Sequence, residues 1–392
     1  MRVVLLTVSS LTGPINQRDG FAQRYETLVT LLDQQTELLV VESTPAGAGT
    51  PPAQERPRVH QTSRPNDIVD LSRKGRLHLT AKRLFPRLLG PPRSEPWQLA
   101  ALDAVEAWKP DAVVAIAHSG MDLWAEVCGA FPTVVFAEEK MATPDVSRKG
   151  RAFDRLEEWA QRHTEPAPAA VVVISAQETK WAKELYPHSP VLVLEHVVDV
   201  DYWACVPPPR PTSIDVLFVG RLDHPRNSDG LLAIARATSA LRPSSPLTFT
   251  AAGVAPPQPV IAALTEAGVE YVGAPEDVRP LYGRASIALV PSFVGGEAKT
   301  TILQAWAMSV PVVTTATAAA SLCVSHGGEV LAADTPAAVA RALIELRSQP
   351  GLMAELVERG TQRLYRHHSR TAFDKQLHAA LDLARRGPKP AP

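Results

Sequence analysis

The segment CVPPPRPTSIDVLFVG, residues 205–220, divides the chain into two parts with the same pattern. Its first half is rich in proline, which fixes φ and lacks an N–H donor, so it cannot lie inside a helix or a sheet. We therefore interpret residues 205–213 as a linker. The apolar run DVLFVG that follows, residues 215–220, is typical of a buried strand and begins a second domain.

Short apolar runs rich in β-branched residues occur on both sides of this linker, and amphipathic helical patterns separate several of them. Apolar strands that alternate with helices are typical of a parallel sheet covered on both faces. The sequence thus predicts an α/β fold: two Rossmann-like, doubly wound parallel-sheet domains facing a cleft, with C-terminal helices. The predicted strands are residues 3–8, 37–42, 112–117, 133–137, 170–175 and 191–195, then 215–220, 247–253, 269–273, 287–292 and 311–315.

The domain bounds follow from this pattern. We predict a first domain at residues 1–204, the linker at 205–213 and a second domain at 214–370. Residues 371–392 are predicted to form a helix that packs back on the first domain, followed by a disordered tail. Residues 43–59, rich in glycine and proline, are predicted to form a loop.

The composition limits the possible partners. The 392 residues are 45% hydrophobic and 21% charged, which is ordinary for a globular protein. The formal net charge is −1, so we expect no nucleic-acid partner. No apolar run is long enough to span a bilayer, and the short N-terminal run MRVVLLTV lacks a cleavage pattern. We expect a cytoplasmic protein with peripheral membrane association at most.

Ligands of doubly wound sheets bind at the carboxyl ends of the strands. Arg221 directly follows the predicted strand 215–220, and Arg226 lies in the same loop. Two guanidinium groups can clamp a diphosphate through planar, bidentate contacts. Surface arginines on a loop explain this pair equally well.

The stretch VGGEAKTTILQAWAMSVPVVTT, residues 294–315, predicts a loop, a helix and a strand. Lys299 lies at the positive end of this helix, where the dipole disfavours a cation. A phosphate bound to the free N–H groups would make the lysine favourable there. Gly295 and Gly296 would let the backbone approach such a ligand closely. The alternative is that Lys299 is a solvated first-turn residue.

Further candidates lie on the same helix. Thr300 and Thr301 follow the lysine directly. Glu297 and Gln304 are seven residues apart and share a helix face if the helix begins early enough. Gln304 could bond sugar hydroxyls, or it could only satisfy the backbone.

In the first domain, polar residues follow two predicted strands. His118 follows residues 112–117, where it could bond a substrate hydroxyl, stabilise developing charge, or be structural. Glu138 and Glu139 follow residues 133–137, and at most one of them can point into a site from an extended chain.

The first predicted strand is followed by Gly13 and Gly20 without a GxGxxG pattern, which argues against a dinucleotide fingerprint. The sequence DVD at residues 199–201 matches a metal-binding DxD only textually, and we interpret it as structural. We assign no metal site.

With these motifs, the chain resembles the retaining GT-B glycosyltransferases of family four, glycosyl transferases group 1. The resemblance covers nearly the whole length and is strongest over residues 215–322. LFVGRLDHPRNSDGLL is similar to the family's strand–loop motif, with Arg221 at its phosphate-binding arginine. GGEAKTTILQAWAMSVPVVTT is similar to its donor motif, with Lys299 at the lysine that contacts donor phosphates.

The resemblance implies transfer of a sugar from a nucleotide-diphosphate sugar to an unidentified acceptor hydroxyl. It implies retention of anomeric configuration, no metal and no cofactor besides the donor co-substrate. The second domain would bind the donor and the first the acceptor, and the oligomeric state stays open. The implied catalytic residues are His118, Arg221, Lys299 and Glu297; the donor-binding residues are Gly13, Gly20, Arg226, Gly295, Gly296, Thr300, Thr301 and Gln304; Glu138 and Glu139 lie on the acceptor side.

Two departures from the family pattern leave alternatives open. Gln304 stands where the family has a glutamate, and the glutamine amide lacks the negative charge of that glutamate. Gly296 stands at the position of an earlier family glutamate, with Glu297 one residue away. The alternatives are a catalytically weak sugar-nucleotide-binding partner protein and a sugar-nucleotide epimerase on the same fold.

Overall fold

The computed structural model describes residues 1–7, 20–45, 58–64, 96–117, 131–137, 167–204, 214–241, 246–293 and 298–386. The chain divides into two compact units. The first contains Met1–Thr12, Glu26–Leu194 and Asp374–Pro392, and the second contains Gly13–Tyr25 and Glu195–Phe373. The domain bounds predicted above stay predictions.

The first unit is built on a seven-stranded sheet with the order β3-β2-β1-β4-β5-β6-β7, and every neighbouring pair is parallel. The strands are β1 Arg2–Thr7, β2 Glu37–Pro45, β3 Arg58–Arg64, β4 Ala112–Ala117, β5 Thr133–Ala137, β6 Ala170–Val173 and β7 Val191–Val193. Helix α1 spans Gly20–Gln35 and belongs to this unit from Glu26 onwards, and the helices α2 Pro96–Trp108 and α3 Glu178–Leu185 lie wholly within it.

The central strands of this sheet are buried because their sequences are almost entirely apolar. All five residues of β5 are buried, and so are all four of β6. Side chains of β1 and β4, among them Val4 and Val113, pack in one cluster with Val105 of α2. Each such side chain removed from water contributes roughly 1.5–3 kcal/mol.

The second unit is built on a six-stranded parallel sheet with the order β10-β9-β8-β11-β12-β13. Its strands are β8 Ile214–Val219, β9 Phe249–Ala252, β10 Val269–Tyr271, β11 Ala285–Val290, β12 Val312–Thr315 and β13 Leu331–Ala333. Its helices are α4 Val200–Ala204, α5 Pro225–Ala240, α6 Gln258–Glu266, α7 Arg279–Tyr282, α8 Ala298–Ala307, α9 Ala316–Ser321, α10 Pro336–Arg347 and α11 Pro350–Arg363.

The sheet of the second unit is covered on both faces. Successive residues of β8 alternate between two clusters: Val216 and Phe218 pack in one, and Leu217 packs in the other. The helix residues Ile234 and Ile302 belong to these two clusters respectively. The predicted α/β class, with two doubly wound parallel sheets, is confirmed.

Two strands were not predicted. The sequence of β3, RVHQTSR, is mostly polar, and β13 has three residues, so neither has the apolar run of a central strand. Both lie at the edge of their sheet, where a strand has a neighbour on one side only. The loop predicted at residues 43–59 is wrong at both ends, since β2 continues to Pro45 and β3 begins at Arg58, and residues 46–57 lie outside the described part of the chain.

The last described elements are a π-helical turn, Leu364–His368, and helix α12, Arg370–Arg386. Within the first unit, the side-chain amide of Gln35 donates to the Asp374 carboxylate at 2.8 Å. Among the described residues, no helix combines the length and apolarity needed to cross a membrane.

Candidate active site

The strand order of the second unit reverses between β8 and β11, which are direct neighbours. The loop after β8 leads to α5, on the face of the sheet opposite to the helix α8 that follows β11. Such a switch point leaves a crevice at the carboxyl ends of the two strands, where ligands of doubly wound sheets bind. Arg221 follows β8, and Lys299 lies in the first turn of α8.

The loop after β8 holds the backbone of Arg221 in one place. Leu222 is buried, and its N–H donates to the Val254 carbonyl at 3.2 Å. The side-chain amide of Asn227 donates to the Arg221 carbonyl at 2.8 Å. The loop is therefore anchored on both sides of Arg221, while the Arg221 side chain stays 54% exposed.

The Arg221 guanidinium forms an ion pair with Asp223, an acidic residue that the sequence analysis did not select. Its Nε donates to Oδ1 of Asp223 at 3.2 Å and its Nη2 to Oδ2 at 2.7 Å. The hydrogen bond from Arg221, with smaller electrostatic help from His224, lowers the pKa of Asp223 below its usual value. The sequence signal was an acid two residues after the arginine, but proximity alone does not predict a bidentate pair.

The second predicted cation, Arg226, lies in the first turn of α5 and is half-buried. This helix begins at Pro225, which is favourable at a first helical position because its missing N–H has no partner there. The two predicted arginines therefore belong to one loop–helix junction, with Arg221 at the strand end and Arg226 on the helix.

Glycines bring the backbones of neighbouring strand ends close together. Gly253 follows β9 with φ of +130°, and a Cβ there would lie 2.0 Å from the Gly220 carbonyl oxygen. Its N–H donates to the Gly273 carbonyl, after β10, at 2.8 Å. Only glycine fits this close approach. The carboxyl edge beside Arg221 thus consists of backbone from three strand ends.

The described part of α8 places the remaining predicted helix residues on its less buried side. Thr300, Thr301 and Gln304 are half-buried, whereas Ile302 and Leu303 have no exposed surface. Gln304 follows Thr300 by four residues and Thr301 by three, so it lies beside both of them on the helix surface. Their selection as donor-binding residues stays a prediction.

The carboxyl end of β11 is fixed by its neighbour β12. The Thr314 hydroxyl donates to the Val290 carbonyl at 2.9 Å, and the Thr315 hydroxyl donates to the Ser292 carbonyl. Thr315 also accepts from the N–H of Ala318 and caps α9. Two side-chain hydrogen bonds therefore tie the carboxyl end of β11 to β12.

Several predicted site residues lie outside what the structure describes. Gly20 is the first residue of α1, and the strands before His118 and Glu138 end at Ala117 and Ala137, as predicted. For Lys299 the description covers the backbone only. The residues outside the described part are Gly13, His118, Glu138, Glu139, Gly295, Gly296 and Glu297.

The DVD sequence has a structural role. The Asp199 carboxylate accepts a hydrogen bond from the N–H of Tyr202 at 3.0 Å, as expected of a residue that caps the short helix α4. Among the described residues, no three His, Cys, Asp or Glu side chains are grouped so that they could hold a metal ion.

Comparison with known families gives one match, and it falls within the second unit. The family described as glycosyl transferases group 1 matches residues 213–349. This segment contains both Arg221 and Lys299. No curated protein matches the chain.

Solved structures match over almost the whole chain. Sucrose-phosphate synthase from Thermosynechococcus elongatus has a TM-score of 0.70 at 14% identity, covering 97% of this chain and 98% of that one. HepE from Anabaena, solved in complex with UDP and glucose, has a TM-score of 0.67 at 13% identity, covering 97% and 99%. A glycosyltransferase from Rickettsia africae has a TM-score of 0.68 at 14% identity, covering 97% and 98%.

These likenesses confirm the GT-B fold, with its two parallel-sheet α/β domains. The family match confirms the predicted enzyme class, a glycosyltransferase.

Proposed function

We propose that this chain is a retaining glycosyltransferase of family four that moves a sugar from a nucleotide-diphosphate sugar to an acceptor hydroxyl, without metal or cofactor. The supporting observation is that Arg221 follows β8 and helix α8 follows β11, and that these two strands are direct neighbours at the switch point. Both lie inside the segment that matches the glycosyl transferases group 1 family.

The chemistry that this proposal needs is stabilisation of the departing nucleoside diphosphate. Arg221 offers a planar donor fork beside the end of β8, and the first turn of α8 contributes N–H groups and Lys299. Preorganised positive charge aimed at a leaving group is one of the largest contributions to such reactions. Arg226, Thr300, Thr301 and Gln304 would hold the rest of the donor.

The acceptor half of the reaction is assigned to the first unit. We propose that His118 and one of Glu138 or Glu139 face the acceptor, and that Glu297 lies beside the sugar. The attacking hydroxyl would approach the face that the diphosphate leaves, with a phosphate oxygen as base, so that configuration is retained. The HepE structure contains UDP and glucose, which makes UDP-glucose the first donor to test.

The donor site is tested by thermal unfolding with UDP, GDP, dTDP and ADP. We expect one nucleotide to stabilise the protein, by about 2.7 kcal/mol at a concentration 100 times its Kd. Lys299→Ala and Arg221→Gln should each remove most of this stabilisation, because each deletes a cation from the diphosphate site. Stabilisation by none of the four at millimolar concentration would contradict the proposal.

Matched controls separate the site from general charge. Arg236→Gln removes an exposed arginine of α5, and Lys180→Ala an exposed lysine of α3. Both should leave the nucleotide shift unchanged. Product analysis then separates the enzyme classes: a transferase consumes donor only with an acceptor hydroxyl, whereas an epimerase converts it without one. EDTA should not reduce transfer.

A further inference from the structure

We propose that Asp223 is an internal competitor of the donor diphosphate: it occupies the Arg221 guanidinium when the site is empty and is displaced when the diphosphate binds. This inference rests on the proposed function, since it takes Arg221 as a diphosphate contact. It assigns to Asp223 a positioning role that acts through Arg221 and promotes product release.

The geometry of the pair resembles that of the contact it would replace. The two carboxylate oxygens of Asp223 face Nε and Nη2 of Arg221 at 3.2 and 2.7 Å. A phosphate group binds arginine through two oxygens in the same parallel arrangement. The carboxylate therefore covers a donor edge of the guanidinium that a phosphate would use, and the two anions cannot use that edge at once.

The Asp223–Arg221 pair is exposed enough to exchange. The side chain of Arg221 is 54% exposed and that of Asp223 is 30% exposed. Exposed ion pairs are weak because water solvates both partners. A diphosphate, which carries more charge and gains helix N–H donors as well, can replace a single carboxylate there.

Exchange needs side-chain rotation only. The backbone of the loop is fixed by the bonds from Asn227 to the Arg221 carbonyl and from Leu222 to the Val254 carbonyl. The hydrogen bond from Arg221 keeps the pKa of Asp223 below its usual value, so the carboxylate is charged near neutral pH. Once the diphosphate is bound, this negative charge remains two residues away from the contact and favours its release.

The test is the affinity of UDP, GDP, dTDP and ADP for the full chain, measured by titration calorimetry. Asp223→Asn removes the charge and weakens the competition, so we expect a Kd about fivefold lower for the nucleotide that binds. Asp229→Asn is the matched control, because Asp229 is an exposed acid of α5 nearby in sequence. It should change the Kd much less.

A double-mutant cycle shows whether Asp223 acts through Arg221. Arg221→Gln should weaken binding, and adding Asp223→Asn to it should then have no further effect. A purely structural role for Asp223 would give the opposite sign, with weaker binding in Asp223→Asn. The unfolding midpoint of each variant without nucleotide confirms that it folds. The dissociation rate of the nucleotide that binds, measured by stopped-flow displacement, should be lower in Asp223→Asn than in the wild type.

The outcomes separate this inference from the proposed function. Unchanged or weaker binding in Asp223→Asn overturns the competitor role, while a loss of binding in Arg221→Gln still supports the donor site. Equal tightening with and without Arg221 also overturns it, since the effect would then be general charge. Absence of binding by all four nucleotides overturns both.

Discussion

His368 is the last residue of the π-helical turn Leu364–His368, and it has no exposed surface. Its Nδ1 lies 2.8 Å from the His196 carbonyl oxygen, so Nδ1 carries the hydrogen and donates. Its Nε2 is buried with no hydrogen-bond partner among the described residues. Burial, with smaller contributions from the nearby charges of Arg363 and His367, lowers its pKa from 6.5 to about 4.

This pKa predicts a loss of stability in acid. The unfolded chain takes up a proton on His368 below pH 6.5, whereas the folded protein does so only near pH 4. The unfolded state therefore binds more protons between these values, and stability falls as the pH falls. From pH 7.5 to pH 4.5 we expect this residue to remove about 2.5 kcal/mol of the free energy of unfolding, measured with urea.

The variant His368→Asn isolates this effect, since its amide can still donate to the His196 carbonyl but does not titrate. Its stability should depend less on pH than that of the wild type by the same amount. The neighbouring contact between His367 Nδ1 and the Glu195 carboxylate, at 3.3 Å, is present in both proteins. Equal pH dependence of the two proteins would contradict the buried, neutral state of His368.

At the residue scale, the sequence predicted where the candidate site residues lie in the elements better than it predicted their hydrogen-bond partners. Arg221 and Lys299 could be selected because strand ends and helix starts follow from apolar patterns. Asp223 and Asn227, which fix the side chain and the backbone of Arg221, could not. Their contacts depend on the turn after β8, and a turn conformation is not encoded by hydrophobic periodicity.

At the scale of the element, helix α5 lies directly on the end of β11. A Cβ on Gly230 would lie 2.1 Å from the Pro291 carbonyl oxygen, which is backbone and cannot rotate away. Helix propensity favours alanine over glycine at position 230, whereas this contact leaves no room for the alanine side chain. We expect Gly230→Ala to destabilise the protein by about 1–3 kcal/mol, measured by urea unfolding, because α5 must move off the strand.

Gly351, in α11, gives the matched control, since a Cβ there would meet nothing within 4 Å. Gly351→Ala should stabilise the protein by about 0.5 kcal/mol by restricting the unfolded chain. Opposite signs for the two substitutions would show that packing against β11, not helix propensity, selects glycine at position 230. A stabilising Gly230→Ala would contradict the packing described here.

Strands were predicted correctly where the burial of apolar side chains is their main determinant. The bounds of β4 and β5 were predicted without error, because these central parallel strands are almost entirely apolar. The edge strand β3 was missed, since it gains its place from pairing with β2 along a mostly polar sequence. That pairing is a property of the assembled sheet and leaves no local pattern.

At the scale of the whole molecule, each unit has its own parallel sheet and its own apolar clusters. We expect scanning calorimetry to resolve two unfolding transitions, since such units need not unfold together. A nucleoside diphosphate that binds beside Arg221 should raise the midpoint of one transition only.

Arg221→Gln identifies which transition belongs to the second unit, because it should abolish the shift of that midpoint. His368→Asn provides an independent marker, since its altered pH dependence should appear in the same transition. If both transitions moved together with nucleotide, or if a single transition were seen at every scan rate, the units would unfold as one.

The hydrogen bonds between residues 196–198 and His368 affect the order in which the second unit can fold during synthesis. The N–H of Val198 donates to the His368 carbonyl at 2.9 Å, and His368 donates back to His196. A ribosome releases residues 196–198 long before their partners. The sheet strands of the second unit, which all precede His368, can therefore pair earlier during translation, but residues 196–198 acquire these hydrogen bonds only after His368 has emerged.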